Sequence, residues 1–219
     1  MRKFIIFVLI ILAGVIAWIL SPKNFLYPSQ SSLAEQNFSM IQTSPTIKEI
    51  TTPEGHCVWL APSNVPVVSV GLVFLGAGRK AVFQNPGLID LLTHLLDEGA
   101  GPYNSQAFKS LLLEKNIQLS INPNHDNLII TFRTIKENVK DAFHLVQLLL
   151  TSPQFDEEDM NRVKQQVAAN LEQSLNDPRP VGLEALQKFV LGENHPYISR
   201  IQDSAKKIPS ISKKDLRNY

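Results

Sequence analysis

Cysteine is nearly missing: Cys57 stands alone in 219 residues. One thiol closes no internal disulfide and builds no Cys-rich zinc site, so a disulfide scaffold and a zinc ribbon are both excluded. An excess of charge of one sign is missing as well. Lys and Arg number 21 against 20 for Asp and Glu, a net charge of +1, which argues against a broad basic face for nucleic acid. There is no internal repeat and no Ser or Cys nucleophile motif. Gly76-Ala77-Gly78 lacks the rest of a dinucleotide fingerprint and reads as a strand-end turn. What is present is 44% hydrophobic and 19% charged. That is a globular balance, on a chain long enough for one ordinary domain or two small ones.

The first twenty residues differ from the rest. Met1-Arg2-Lys3 precedes an uncharged apolar run, Phe4 to Leu20, of 17 residues. Its length favours an uncleaved signal anchor; a cleaved signal peptide, cut after Ala17 or Ala34, is the alternative. Arg2, Lys3 and the amino terminus outweigh Lys23, which leaves the N-terminus in the cytoplasm. The expected localisation is therefore anchored in the inner membrane facing the periplasm, or exported to the periplasm if the signal is cleaved. Residues 21–44 hold two Pro and six Ser with no sustained period, and read as a linker.

From residue 45 the pattern changes. Thr46–Thr52, His56–Leu60, Val67–Leu75, Gln118–Asn122 and Asn127–Thr134 are strand candidates. Turn chemistry at Ala61-Pro62-Ser63-Asn64 predicts a hairpin between the second and third. Helices are expected from Asn85, with Pro86 first, to the Gly99/Gly101 stop; over 105–115; and over 137–150, with Val139, Ala142, Phe143, Val146, Leu149 and Leu150 as its stripe. Asp156 caps a fourth, stopped by Pro178, with the acidic run Asp156–Asp159 favourable at its N-terminus. The fifth is Val181–Leu191. Strand pairs alternating with helix pairs indicate an α+β fold, an antiparallel sheet with helices on one face. Ser212 and Asp215 form a capping-box-like start just before Tyr219. A domain truncated at its C-terminal end is therefore expected over 45–219.

One helix carries the functional question. In Pro86–Glu98, Leu88, Leu91, Leu92, Leu95 and Leu96 make an apolar face, while Asp90, Thr93, His94 and Asp97 share the other. Positions 90 and 94 could hold a metal, with a base between them at 93. In this light the stretch Gly87-Leu88-Ile89-Asp90-Leu91-Leu92-Thr93-His94-Leu95-Leu96 resembles the inverted zinc motif, H-x-x-E-H, of the pitrilysin/insulinase metallopeptidases. The order of its surroundings is similar too: Gly76-Ala77-Gly78-Arg79 before it, Glu98-Gly99-Ala100 after it, then Phe155–Asp159 leading a long helix to Asp177-Pro178, and Leu191-Gly192-Glu193-Asn194-His195-Pro196-Tyr197. The resemblance covers residues 45–219 and implies the N-terminal half-domain of that family.

In active members, the resemblance implies, two His and a distal Glu hold zinc while the central Glu takes a proton from the metal-bound water. Here Asp90 and His94 stand at the His positions and Thr93 at the base. Asn170 stands at the distal ligand position, with Glu172 close by if the register slips. A hydroxyl is too weak a base near neutral pH to replace the carboxylate. The catalytic set is therefore not intact, and no cofactor is expected. The implied role is a non-catalytic homologue, membrane-tethered, that binds substrate beside a catalytic zinc peptidase of the same family. Two alternatives stay open: an active zinc endopeptidase with an altered site, which would need zinc, and a truncated non-functional remnant. The bland reading of His94 is a surface histidine paired with Asp90 one turn away. His56 and His125 are expected in solvent beside turns, His144 on the polar side of its helix, and His195 as a local fixture of its loop.

Overall fold

The computed structural model describes residues 46–219. The anchor or signal at 1–20 and the linker at 21–44 lie outside the described residues. They divide into two bodies, one ending at Ser63 and one running from Asn64 to Tyr219.

In the first body, β1 (Lys48–Thr51) pairs antiparallel with β2 (Cys57–Leu60). The turn between them is closed by Thr52 N–H and His56 carbonyl at 2.9 Å and by Gly55 N–H and Thr52 carbonyl at 2.9 Å. The hairpin expected between the second and third strands does not form. Thr52-Pro53-Glu54-Gly55-His56 is the shorter closure, a turn ending in a left-handed glycine that feeds a hairpin directly.

The second body is built on three antiparallel strands in the order β3 (Val67–Leu75), β7 (Asn127–Ile135), β6 (Gln118–Pro123). Val70 faces Phe132 and Leu72 faces Ile130, while Leu119 and Ile121 meet the same two residues from the other side. Along β7, Leu128, Ile130, Phe132 and Thr134 are buried, and Thr131, Arg133 and Ile135 are exposed. Period-2 alternation thus gives the sheet one covered face and one open face. Helices cover the buried face: α1 (Leu88–Leu95), α2 (Ser105–Glu114), α3 (Val139–Thr151) and α4 (Glu157–Ser174). Leu91, Leu95, Phe108, Ile130, Phe132 and Leu149 form the fully enclosed centre. Between α1 and α2 lies a minimal ribbon, β4 (Gly99–Ala100) with β5 (Tyr103–Asn104). After α4 come α5 (Pro178–Leu191), α6 (Ile201–Lys207) and α7 (Lys213–Arg217). The expected α+β architecture is the one observed.

Local chemistry explains most boundaries. The Asn104 side chain accepts from Ala107 N–H at 2.9 Å and Asp156 from Glu158 N–H at 2.9 Å, each a cap worth about 1 kcal/mol. Ser212 and Asp215 complete the capping box at α7 in both directions. Pro178 opens α5 rather than simply ending α4, because Asp177 caps it and a first-turn proline gives up no needed donor. α5 has no buried residue, and Leu183, Leu186, Phe189 and Val190 are exposed on it.

Two expectations about side chains change. On α3 the buried stripe runs through Ala142, Leu145, Val146 and Leu149, leaving Phe143 and Leu150 exposed; Phe143 instead sets its ring edge-on to Phe132 at 5.0 Å. His125 is half-buried, not solvated: its ring stacks on Tyr197 at 4.8 Å. Tyr197 also donates its hydroxyl to Asp126, and its N–H reaches His195 Nδ1 at 3.2 Å. His195 is thus a fixture of its loop, as expected, and the loop is held to the β6–β7 turn.

The expected localisation needs correction. Among the described residues no helix is long and apolar enough to cross a membrane. The inner-membrane, periplasm-facing placement is therefore withdrawn; the run from Phe4 to Leu20 on which it rested lies outside the described residues.

Candidate functional site

α1 is aimed by glycine at its entry. It begins at Leu88, two residues later than expected, because Gly87 takes a left-handed φ of 83° and serves as N-cap. A Cβ there would lie 2.8 Å from Ile208 Cγ1 and 3.1 Å from the Ser204 carbonyl. Only glycine meets both demands without strain. Upstream, Gly78 lets the chain press onto the β6–β7 turn: a Cβ would fall 2.5 Å from the Asn127 nitrogen. The next two N–H groups, of Arg79 and Lys80, donate to the carbonyls of Asn124 and His125 at 2.9 Å each. This docking carries Arg79 to the polar face of α1.

There Arg79 Nη1 donates to Asp90 Oδ1 at 2.5 Å. The carboxylate at the first ligand position is therefore held by a guanidinium. His94 does not pair with that carboxylate. Its Nδ1 lies 2.7 Å from the Asp90 main-chain carbonyl. A carbonyl only accepts, so Nδ1 carries the proton and Nε2 is the nitrogen left with a lone pair. Thr93 is buried, and its hydroxyl donates to the same carbonyl at 3.1 Å. The side chain at the base position is thus spent on its own helix. Asn170 is exposed on α4, and its carbonyl accepts from Ser174 Oγ at 2.9 Å. The α4 residue that lines the cavity beside α1 is Gln166, one turn earlier.

That cavity has a volume of about 440 Å³, within the usual span for ligand clefts. One wall is α1, with Asp90, Thr93 and His94, continued by Asp97 and Glu98 in the turn after it; the other is β6, with Leu119, Ile121, Asn122 and Pro123; Arg79, with Val163 and Gln166 of α4, contributes the rest. β6 is an edge strand among the described residues.

The far end of α1 is tied down by a buried carboxylate. Glu98 accepts from Ser105 Oγ at 2.5 Å, Arg162 at 2.7 Å and Lys109 at 2.7 Å, which joins the turn after α1 to α2 and α4. Burial alone would raise its pKa. The hydrogen bonds from Lys109, Ser105 and Arg162 outweigh that and hold it below the ordinary value. Its neighbour Asp97 behaves oppositely: burial pushes its carboxyl up, Glu98 adds to this, and Lys109 and His94 offset it only in part.

The donor set does not suit zinc. A zinc site needs three convergent donors and an open position for water. Asp90 is engaged by Arg79, Asn170 lies outside the cavity lining, and His94 alone offers a nitrogen. Among the described residues no group of three or more His, Cys, Asp or Glu is placed to hold a metal ion.

Sequence reasoning brought Asp90, Thr93 and His94 to one helix face, and the structure keeps them there. It missed Arg79 as the partner of Asp90, Gln166 as the α4 contribution, Glu98 as a hub and β6 as a wall. The available signals were Gly78 directly before Arg79 and the placement of Gln166 a single turn before Asn170.

No family model matches the chain. It is 27% identical over 176 residues to a Helicobacter pylori protein described as the non-peptidase homolog YmxG, covering 78% of this chain and 40% of that protein. In fold it is similar to the crystal structure of a peptidase M16 inactive domain from Pseudomonas fluorescens, with a TM-score of 0.71, 22% identity, and 78% of this chain on 42% of that one. It is also similar to the ferredoxin protease FusC, solved as a mutant in complex with Arabidopsis ferredoxin, with a TM-score of 0.62, 20% identity, and 80% of this chain on 19% of that one. The chain thus spans about two fifths of the first two relatives. The fold is the one these peptidase-like domains share. In sequence the chain is similar to a non-peptidase homologue, and in fold to an inactive domain of peptidase M16.

Proposed function

We propose that this chain binds unfolded peptide without cutting it, beside a catalytic zinc peptidase of the same family. The observation that carries the reading is the cavity. It lies where the inverted motif would hold its metal, yet Thr93 and Asp90 are turned to internal partners, and its opposite wall is the edge strand β6. An edge strand offers unpaired main-chain groups, so an extended peptide can add to it as a further strand. Alternate side chains of that peptide would then enter the cavity. Asp90, His94 and Asn170 remain the positions corresponding to the family's ligands, without a metal role in this reading.

The test is fluorescence anisotropy with the full chain and a labelled, unstructured peptide. Saturable binding supports the reading, and N-methylation of alternate peptide nitrogens should abolish it by removing the strand-forming donors. Binding indifferent to N-methylation would refute addition to β6. The partner is tested by co-purification with an intact H-x-x-E-H peptidase from the same cell; failure of the two to associate removes the subunit role.

A further inference from the structure

Resting on the peptide-binding reading, a count of charges around the cavity identifies which side chain it receives. Three carboxylates border it. Asp90 is matched by Arg79 at 2.5 Å, and Glu98 by Lys109 and Arg162 at 2.7 Å each. Asp97, on the same side of the cavity, forms no ion pair among the described residues, although it is half-buried. A carboxylate buried without an ion pair costs free energy; the charges of Lys109 and His94 offset that only in part, and an arriving cation would recover the remainder. Around it, Leu119, Ile121 and Val163 give the cavity apolar surface. Lys and Arg carry methylene stems that lie along such surface while the charged head reaches a polar partner. A peptide extended along β6 would direct every second side chain toward the same face.

We propose that the cavity takes a Lys or Arg side chain of an extended peptide lying along β6, with the Asp97 carboxylate as counter-ion. Arg79 cannot play the part of that cation, because its guanidinium is committed to Asp90. The remaining side chains on this wall do not compete for Asp97: Thr93 donates to the helix and His94 to the Asp90 carbonyl.

The test uses the full chain and three labelled, unstructured peptides, identical except for Lys, Arg or norleucine at one central position. The Lys and Arg peptides should bind about tenfold more tightly than the norleucine peptide, the scale of a hydrogen bond to a charged group. Asp97→Asn should erase that preference, and Asp97→Glu should retain it. Added salt should shrink the preference in the wild type. Circular dichroism checks that each variant folds. Equal binding of all three peptides by the wild type, or a preference that survives Asp97→Asn, would overturn the assignment of Asp97 and leave peptide binding standing. If no peptide binds the wild type, the functional reading itself falls.

Discussion

At the scale of single residues, the carbonyl and carboxylate of Asp90 organise the polar face of α1. Thr93 and His94 both donate to the carbonyl, and Arg79 takes the carboxylate. The Arg79–Asp90 pair is partly exposed, so Arg79→Ala should cost no more than about 1 kcal/mol in a urea melt. Glu98 is different: it is buried with three donors. Glu98→Gln should lower stability by about 1–3 kcal/mol. The two neighbouring carboxyls also set opposite pH dependences. The folded pKa of Glu98 lies below its unfolded value, so its contribution is fully present above about pH 4.3 and is lost as pH falls through the lowered folded value. Asp97 has a raised folded pKa, so folding is penalised above that value and the penalty vanishes as pH falls below the unfolded one. Asp97→Asn should therefore raise the urea midpoint near neutrality and leave it unchanged in acid. A variant less stable than wild type near neutrality would show that Asp97 is already compensated.

At the scale of elements, glycine placement fixes where α1 points. Gly87→Ala forces a left-handed φ on a residue with a Cβ and drives that atom against the Ser204 carbonyl. It should cost about 1–3 kcal/mol, seen as a fall in melting temperature. This position also shows where sequence reading stops. Asn85-Pro86 is good helix-opening chemistry, but the start was displaced by packing against α6, which no local pattern encodes. Strands β3, β6 and β7 were legible because alternation is a local property written on one buried face. Their partners were not, since the choice between pairing β2 with β1 or with β3 depends on turn geometry. The stripe of α3 slipped because Phe143 satisfies its ring against Phe132 from the helix flank. The polar face of α1 was legible from spacing alone. Its neutralisation by Arg79 was not, since that contact depends on Gly78 meeting the β6–β7 turn.

At the scale of the whole molecule, the fold places a cavity between a helix and a strand edge. The walls persist because they are built from core residues: Leu91 and Leu95 behind α1, Ile130 and Phe132 behind β6. Asp90, Thr93 and His94 on α1 are engaged by Arg79 or by the helix's own main chain, and Asn170 on α4 lies outside the cavity lining. The most direct test is the binding isotherm of a labelled, unstructured peptide to the full chain, measured once with added zinc and once with EDTA. Two superimposable, saturable curves with the peptide recovered intact are the predicted result. Binding that requires zinc, or a peptide recovered in fragments from the zinc sample and not from the EDTA sample, would contradict the account.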